Sequence, residues 1–238
     1  MSNSSFRFKQ FVVSHEKSGM KVGTDGVLIG AWANVDNCKT LLDVGTGSGL
    51  IALMMTQRNV YAEITAIDIY DDVVDEAREN VQNSLFKDRI SVLKTSFQDF
   101  ASATTQRFDG IVSNPPFFAN GLLSPNSVRA EARHARSLTT AEIFKSGKLL
   151  LSEGGRLSFI FPFSEREKIM WEAAMEGFYL SRETIVYPTS ASAAKRILVE
   201  FSLHEPQEII SDELLIEIGR HRYSPEFIKL VKDFYLKL

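Results

Sequence analysis

One cysteine, Cys38, among 238 residues excludes an intramolecular disulfide, and four histidines without a Cys/His cluster offer no set of soft ligands for a structural zinc, so no metal is expected. Long apolar runs are missing as well. No stretch reaches the ~20 consecutive apolar residues of a bilayer span, and the first twenty residues are interrupted by Arg7, Lys9, His15, Glu16 and Lys17, which excludes a signal-peptide core. Internal repeats, low-complexity tracts and an interdomain linker are absent too. What is present is 44% hydrophobic and 24% charged side chain, enough for one sizeable core and short of two. The expectation is a soluble, cytoplasmic, single-domain protein that acts as a monomer.

The formal net charge of −3 argues against a surface built to bind polyanions everywhere, yet the charge is unevenly spread. Residues 1–22 hold Arg7, Lys9, Lys17 and Lys21 against Glu16 alone, and residues 23–120 are acidic in balance. Residues 129–148 are basic again, with Arg129, Arg133, Arg136, Lys145 and Lys148 against Glu131 and Glu142. Two basic segments flank an acidic centre, a pattern that marks either a partner or ordinary solvated surface.

Short apolar runs alternate with helical patterns, the signature of parallel strands joined by crossover helices. Strands are expected at Thr40–Val44, Glu63–Asp68, Ile90–Lys94, Phe108–Ser113, Gly155–Phe161, Ser181–Tyr187 and Arg196–Leu203. Helices are expected at Gly49–Arg58, Asp72–Ser84, Thr140–Ser152 and Ser164–Glu176, the last capped by Ser164. Only Pro188 to Lys195 separates the final two strands, so the last should return antiparallel. Ser224-Pro225-Glu226 opens a terminal helix through Phe227, Leu230, Val231, Phe234 and Tyr235. The fold class is α/β and Rossmann-like, with helices on both faces of a seven-stranded, mostly parallel sheet. The reversed final pair points to the methyltransferase variant rather than a dehydrogenase domain.

Asp43-Val44-Gly45-Thr46-Gly47-Ser48-Gly49 places a glycine-rich turn between a strand and a helix, where backbone N–H groups and close approach of a ligand are both available. The third glycine arrives one residue early for a dinucleotide turn, which demotes NAD and FAD. A carboxylate at Asp43 suits an ammonium group and would repel a pyrophosphate. Asp68 closes the second strand about twenty residues on, where its two oxygens can accept both hydroxyls of a ribose. Asp99, after the third strand, is a candidate acceptor for an adenine amino group or else a surface-loop aspartate.

Asn114-Pro115-Pro116-Phe117 follows the fourth strand. Two prolines after an asparagine cannot continue a helix, and they fix the directions of the Asn114 side chain and the Pro115 carbonyl. An adenine amino nitrogen is a poor nucleophile because its lone pair is delocalised into the ring. Two fixed acceptors that hold its hydrogens localise the pair and aim the nitrogen, and no separate base is required. Phe117 offers a flat face for an extruded base; the bland alternative is a proline-rich turn with Phe117 and Phe118 in the core.

With these motifs the chain resembles the class I amino-methyltransferases that carry an N-P-P-[FY] signature. Gln10 to His15, Met20 to Trp32 and Asp233-Phe234-Tyr235-Leu236 extend the likeness, over essentially the whole chain, to the bacterial valine-tRNA adenine-37 N6-methyltransferase family. The resemblance implies S-adenosyl-L-methionine as cofactor and an anticodon-loop adenine as target. It implies that Lys21 to Gly26, with Thr24 and Asp25, cover the cofactor together with Asp43, Gly45, Gly47, Gly49, Asp68, Asp99 and Asn114. Asn114, Pro115 and Phe117 become the catalytic corner. Pro116, Phe118, Arg129, Arg133, His134, Arg136, Lys195 and Arg196 become the RNA contacts. Residues 1–35 would then be a cofactor-covering segment, 36–205 the core and 206–238 a helical extension. Read without the resemblance, Thr24 is a helix N-cap and Gly26 to Trp32 a buried turn. Phe117 stands where many relatives carry tyrosine, so no hydroxyl chemistry is available there.

The same corner fits a glutamine-amide protein methyltransferase, a guanine-N2 methyltransferase of ribosomal RNA, or a protein that binds RNA and cofactor without catalysis. Only about forty residues precede Asp43, too few for the helical substrate domain usual in the first.

Overall fold

The computed structural model describes residues 4–17, 21–115 and 138–237. A short hairpin comes first, β1 (Ser5–Arg7) against β2 (Val12–Ser14), followed by α1 (Thr24–Trp32). The alternating part runs β3 (Thr40–Val44), α2 (Leu50–Arg58), β4 (Glu63–Asp68), α3 (Asp71–Gln82), β5 (Ile90–Lys94), α4 (Phe97–Ala103) and β6 (Phe108–Ser113). After residue 137 come α5 (Thr140–Leu150), β7 (Leu151–Pro162), α6 (Arg166–Met175), β8 (Tyr179–Thr189), β9 (Arg196–Ser202), β10 (Ile210–Gly219), β11 (Arg222–Tyr223) and α7 (Pro225–Val231).

The main sheet has nine strands in the order β11-β10-β8-β9-β7-β6-β3-β4-β5. The seven expected strands are all present, and β9 runs antiparallel to both β7 and β8, as the short Pro188–Lys195 connection requires. From β3 the chain moves outward through β4 to β5 and returns to the other side of β3 as β6. The strand order therefore reverses between β3 and β6, and connections leave their carboxyl ends in opposite directions, which opens a crevice there. Apolar side chains pack on both faces of the sheet, the first set with α1, α2 and α3, the second with α4, α5 and α6.

Five local expectations are corrected. The segment 206–238 is not purely helical: β10 adds in parallel to β8 and turns into β11 before α7 begins. Only Leu214 of β10 is buried, so the two-residue alternation of a strand is faint in its sequence. Gly26 to Trp32 is a helix buried from Gly26 to Trp32, and a helix covered all round shows no amphipathic period. Its N-cap is Gly23, with Thr24 the first helical residue. Ser164 lies in a short 3-10 turn, and Glu165 precedes α6 in its place. Finally, Asp99 sits in the first turn of α4, whose cap Ser96 accepts from the Asp99 N–H.

Buried charges fix the far end of α1. The Arg182 guanidinium lies 3.6 Å from the Trp32 ring centroid, donates to the Trp32 carbonyl at 2.9 Å and pairs with Glu200 at 3.3 Å. The Trp32 indole N–H donates to Thr184 Oγ1 at 2.8 Å. The two chain ends meet on the same face, where Phe6 and Phe8 pack on Tyr235 and the Lys9 N–H donates to the Phe234 carbonyl at 2.8 Å. Removing one partner of a buried ion pair strands the other, so Glu200→Ala is expected to cost roughly 3 kcal/mol in urea unfolding. A loss below about 1 kcal/mol would show that Arg182 is satisfied by the Trp32 carbonyl alone.

Candidate active site

The turn after β3 is shaped by its glycines. Gly45, Gly47 and Gly49 have φ of 68°, 57° and 81°, a region that side chains rarely adopt, and a Cβ built on Gly45 or Gly47 would meet no protein atom within 4 Å. The Gly45 and Thr46 N–H groups donate to the Ile67 carbonyl of β4 at 2.9 and 3.0 Å. Two carboxylates complete the turn. Asp43 is fully buried, and its Oδ2 accepts from Thr46 Oγ1 at 2.6 Å and from the Ala52 N–H at 3.0 Å. Asp68 accepts from the Gly47 N–H at 3.0 Å and from the N–H groups of Ile69 and Tyr70 at 2.8 and 3.3 Å.

Asn80 joins this turn to the N-terminal hairpin. Its Nδ2 donates to the carbonyls of Ser48 and Ser14, both at 2.8 Å, and its Oδ1 accepts from the Ser14 N–H at 2.9 Å. The hairpin leads on to Lys21 and so to the first turn of α1. There Gly26 stands so close to α2 that a Cβ would come within 3.1 Å of the Leu50 side chain and 3.9 Å of Asn114 Nδ2. Ser113 Oγ donates to the Val44 carbonyl at 2.8 Å and locks the end of β6 to the end of β3, which sets Asn114 beside the glycine turn.

These pieces surround a cavity of about 440 Å³, lined by residues 21–26, 45–48, 50, 51, 114, 115 and 196. Of the expected cofactor residues, Lys21, Thr24, Asp25, Gly45, Gly47 and Asn114 line it; Asp43, Gly49 and Asp68 brace its wall from outside the lining. Asp99 is also outside, with its Oδ2 accepting from Ser96 Oγ at 2.7 Å. Pro116, Phe117, Phe118, Arg129, Arg133, His134 and Arg136 lie outside the described residues. Lys195 is exposed at the cavity end of the sheet. Arg196, expected to meet RNA phosphate, lines the cavity and pairs with Asp25 at 2.8 Å, because β9 begins level with the end of β7 and faces the start of α1. That pairing spans 171 residues of sequence, so no spacing could reveal it. Asn80 was missed as well; its only signal is a polar residue among Val73, Val74, Ala77 and Val81 on the buried face of α3.

The chemistry of this wall fits a nucleoside linked to an amino acid. Two glycines without side chains open space for close approach, unlike a protein-filled turn. The buried Asp43 Oδ1 has no hydrogen-bond partner among the described residues, an acceptor suited to a water or ammonium donor. Asn114 is half-buried and, with the buried Pro115, lines the cavity, so the Asn-Pro corner forms part of its wall.

Fold and site define a class I methyltransferase that uses S-adenosyl-L-methionine. The structure is similar to a predicted O-methyltransferase from Agrobacterium tumefaciens, with a TM-score of 0.66 at 20% identity over 88% of this chain and 96% of that one. It is also similar to the glycopeptide N-methyltransferase MtfA complexed with S-adenosylmethionine, with a TM-score of 0.55 at 15% identity over 78% and 89%. The profile of the methyltransferase small domain matches residues 18–184. Proteins named tRNA1(Val) (adenine(37)-N6)-methyltransferase from Parabacteroides distasonis and Trichodesmium erythraeum are 44% and 40% identical, each over 100% of both chains. The chain belongs to the methyltransferase small domain family and, within it, to the family of these full-length relatives.

Burial pushes the Asp43 carboxyl up to about 7, against the lowering by its Thr46 and Ala52 hydrogen bonds. The folded protein thus keeps this proton over a range where the unfolded chain has released it. Stability from Asp43 is fully present below about pH 4 and is lost as pH rises towards 7. Relative to Asp43→Asn, which keeps one oxygen acceptor, the cofactor-free protein is expected to lose up to about 4 kcal/mol between pH 4 and 7. A pH-independent difference in urea midpoints would contradict a buried, proton-holding acid.

Proposed function

We propose that this protein methylates the exocyclic N6 of an adenine in transfer RNA, adenine 37 beside the anticodon of a valine tRNA, in the cytoplasm and as a monomer. The observation that carries the reading is the position of Asn114 and Pro115 in the wall of a cavity framed by the glycine turn. The names and full-length match of the relatives favour it over amide or guanine methylation at the same corner. No helix of the described residues is long and apolar enough to cross a membrane.

When bound, the cofactor supplies a methyl group activated by its sulfonium. The chain's own contribution is position. Asn114 Oδ1 and the Pro115 carbonyl accept the two amino hydrogens, hold the nitrogen against the cavity and concentrate its lone pair. The proton released after transfer leaves to water, with no side-chain base. Phe117, with Pro116 and Phe118, supplies the stacking face for the extruded base. Asp68, held by three backbone N–H groups, presents its carboxylate to the cofactor ribose, while Lys21, Thr24 and Asp25 close over the cofactor. Arg129, Arg133, His134, Arg136 and Lys195 meet the phosphates around the loop.

Labelled S-adenosylmethionine with unmodified valine tRNA should place label in N6-methyladenosine after nuclease digestion; label in methylguanine or in protein contradicts the reading. Asn114→Ala is expected to reduce turnover by about two to three orders of magnitude with cofactor affinity changed little, as for loss of one preorganised polar contact. An equal loss of cofactor binding by calorimetry would refute the assigned role. Asp68→Ala should show the converse, with weakened cofactor binding as its main defect.

A further inference from the structure

The strands that lie beyond β9 give the crevice end of the sheet a raised, basic edge. β8 and β10 are parallel to each other, and β9 is antiparallel to β8, so the end of β8, the start of β9 and the end of β10 share the end of the sheet that holds the cavity. Arg196 at the start of β9 is level with Val186, and Val186 with Leu214, but β10 continues to Gly219 before it turns. Six further residues to Arg220 carry the hairpin roughly 20 Å past the level of Arg196, at about 3.3 Å per residue. Two strand spacings separate it sideways by about 10 Å.

The tip of that hairpin is Arg220-His221-Arg222. All three are exposed, and none has an ion-pair partner among the described residues. His221 takes a φ of 57°, which makes the turn tight, and Gly219 pairs with Arg222 across it. Glu217, partly buried, is paired across the hairpin with Tyr223, and Glu226 opens α7 four residues after Arg222. Glu213, which accepts from Tyr187 Oη at 3.1 Å, lies about 20 Å down β10, more than a Debye length of about 10 Å from the tip. Lys195 is exposed immediately before β9, and Lys21 lines the cavity.

We propose that Arg220, His221 and Arg222 form a phosphate-binding arm that grips the stem of the RNA while its base occupies the cavity. This rests on the tRNA reading above. By these offsets the tip stands about 22 Å from Arg196 in the cavity lining, too far to meet the phosphate of the nucleotide whose base fills the cavity, so the phosphates it grips belong to the paired part of the RNA beyond that nucleotide. Guanidinium groups suit such a contact, because their planar forks bind phosphate oxygens in pairs, and a contact of this kind positions the RNA without reading its sequence. The arm belongs to β10 and β11, the two strands added to the seven-stranded sheet, so it also separates a long folded RNA from a small acceptor molecule at the same cavity.

The test compares two RNAs, an unmodified valine tRNA transcript and a single-stranded oligonucleotide carrying the anticodon loop alone, by fluorescence anisotropy at several salt concentrations. Each phosphate contact contributes about 0.7 to 0.9 to the slope of log affinity against log salt. The double variant Arg220→Ala/Arg222→Ala is therefore expected to lower the slope for tRNA by about 1.5 and the affinity at 0.15 M salt by about 10- to 30-fold. Its affinity for the loop oligonucleotide should change less than about 2-fold. Cofactor affinity and thermal midpoint serve as controls on the fold, and Arg220→Lys/Arg222→Lys should restore most of the salt slope. Unchanged tRNA affinity and slope in the alanine variant overturn the arm alone, as does an equal loss for both RNAs. Failure of the unaltered protein to bind tRNA overturns the arm together with the reading on which it rests.

Discussion

The cavity depends on two carboxylates that hold a glycine turn in a shape the backbone would not keep unaided. Asp43 accepts the hydrogen bonds of Thr46 and Ala52, and Asp68 those of Gly47, Ile69 and Tyr70. Left-handed residues in succession cost conformational entropy, and a buried N–H without an acceptor costs more; the acids meet both demands at once. The cost of burying Asp43 itself is met by raising its affinity for a proton. A site for a charged nucleoside is thereby built around a group whose own charge is conditional.

Everything else in the site is located by where its second end is tied. α1 is held at Trp32 by Arg182 and Thr184, and at Asp25 by Arg196, so a helix with almost no polar face has polar anchors at both extremities. Asn80 couples the hairpin to Ser48, and Ser113 couples β6 to β3. Each tie crosses between elements distant in sequence. The lining is therefore a convergence of four segments, 21–26, 45–48 with 50 and 51, 114–115 and the start of β9, that only the strand order brings together.

That distinction decides what was legible before the fold was known. β3, β4 and β6 carry their bounds in plain apolar runs ended by Gly, Asp or Asn-Pro, and the glycine turn and Asn114-Pro115 read as chemistry because each is a local signature. α1 was hidden because burial on every side erases periodicity, and β10 because one-sided packing leaves only Leu214 to mark it. The place of Arg196 was hidden for a different reason. A basic residue after a loop looks available until the topology sets it opposite an aspartate, and only strand register supplies that fact. The short cap at Ser96, by contrast, was written in Ser96-Phe97-Gln98-Asp99 and outweighed by the expectation of a loop.

The contact between residues 6–9 and 232–235 bears on the crevice. Phe6, Phe8 and Lys9 find their partners at Phe234 and Tyr235, and the Lys9 ammonium donates to the Lys232 carbonyl at 2.7 Å. The hairpin that leads to Lys21 is thus gripped twice, by this cluster and by Asn80 through Ser14, so loosening either grip frees the lip of the crevice while the sheet stays whole.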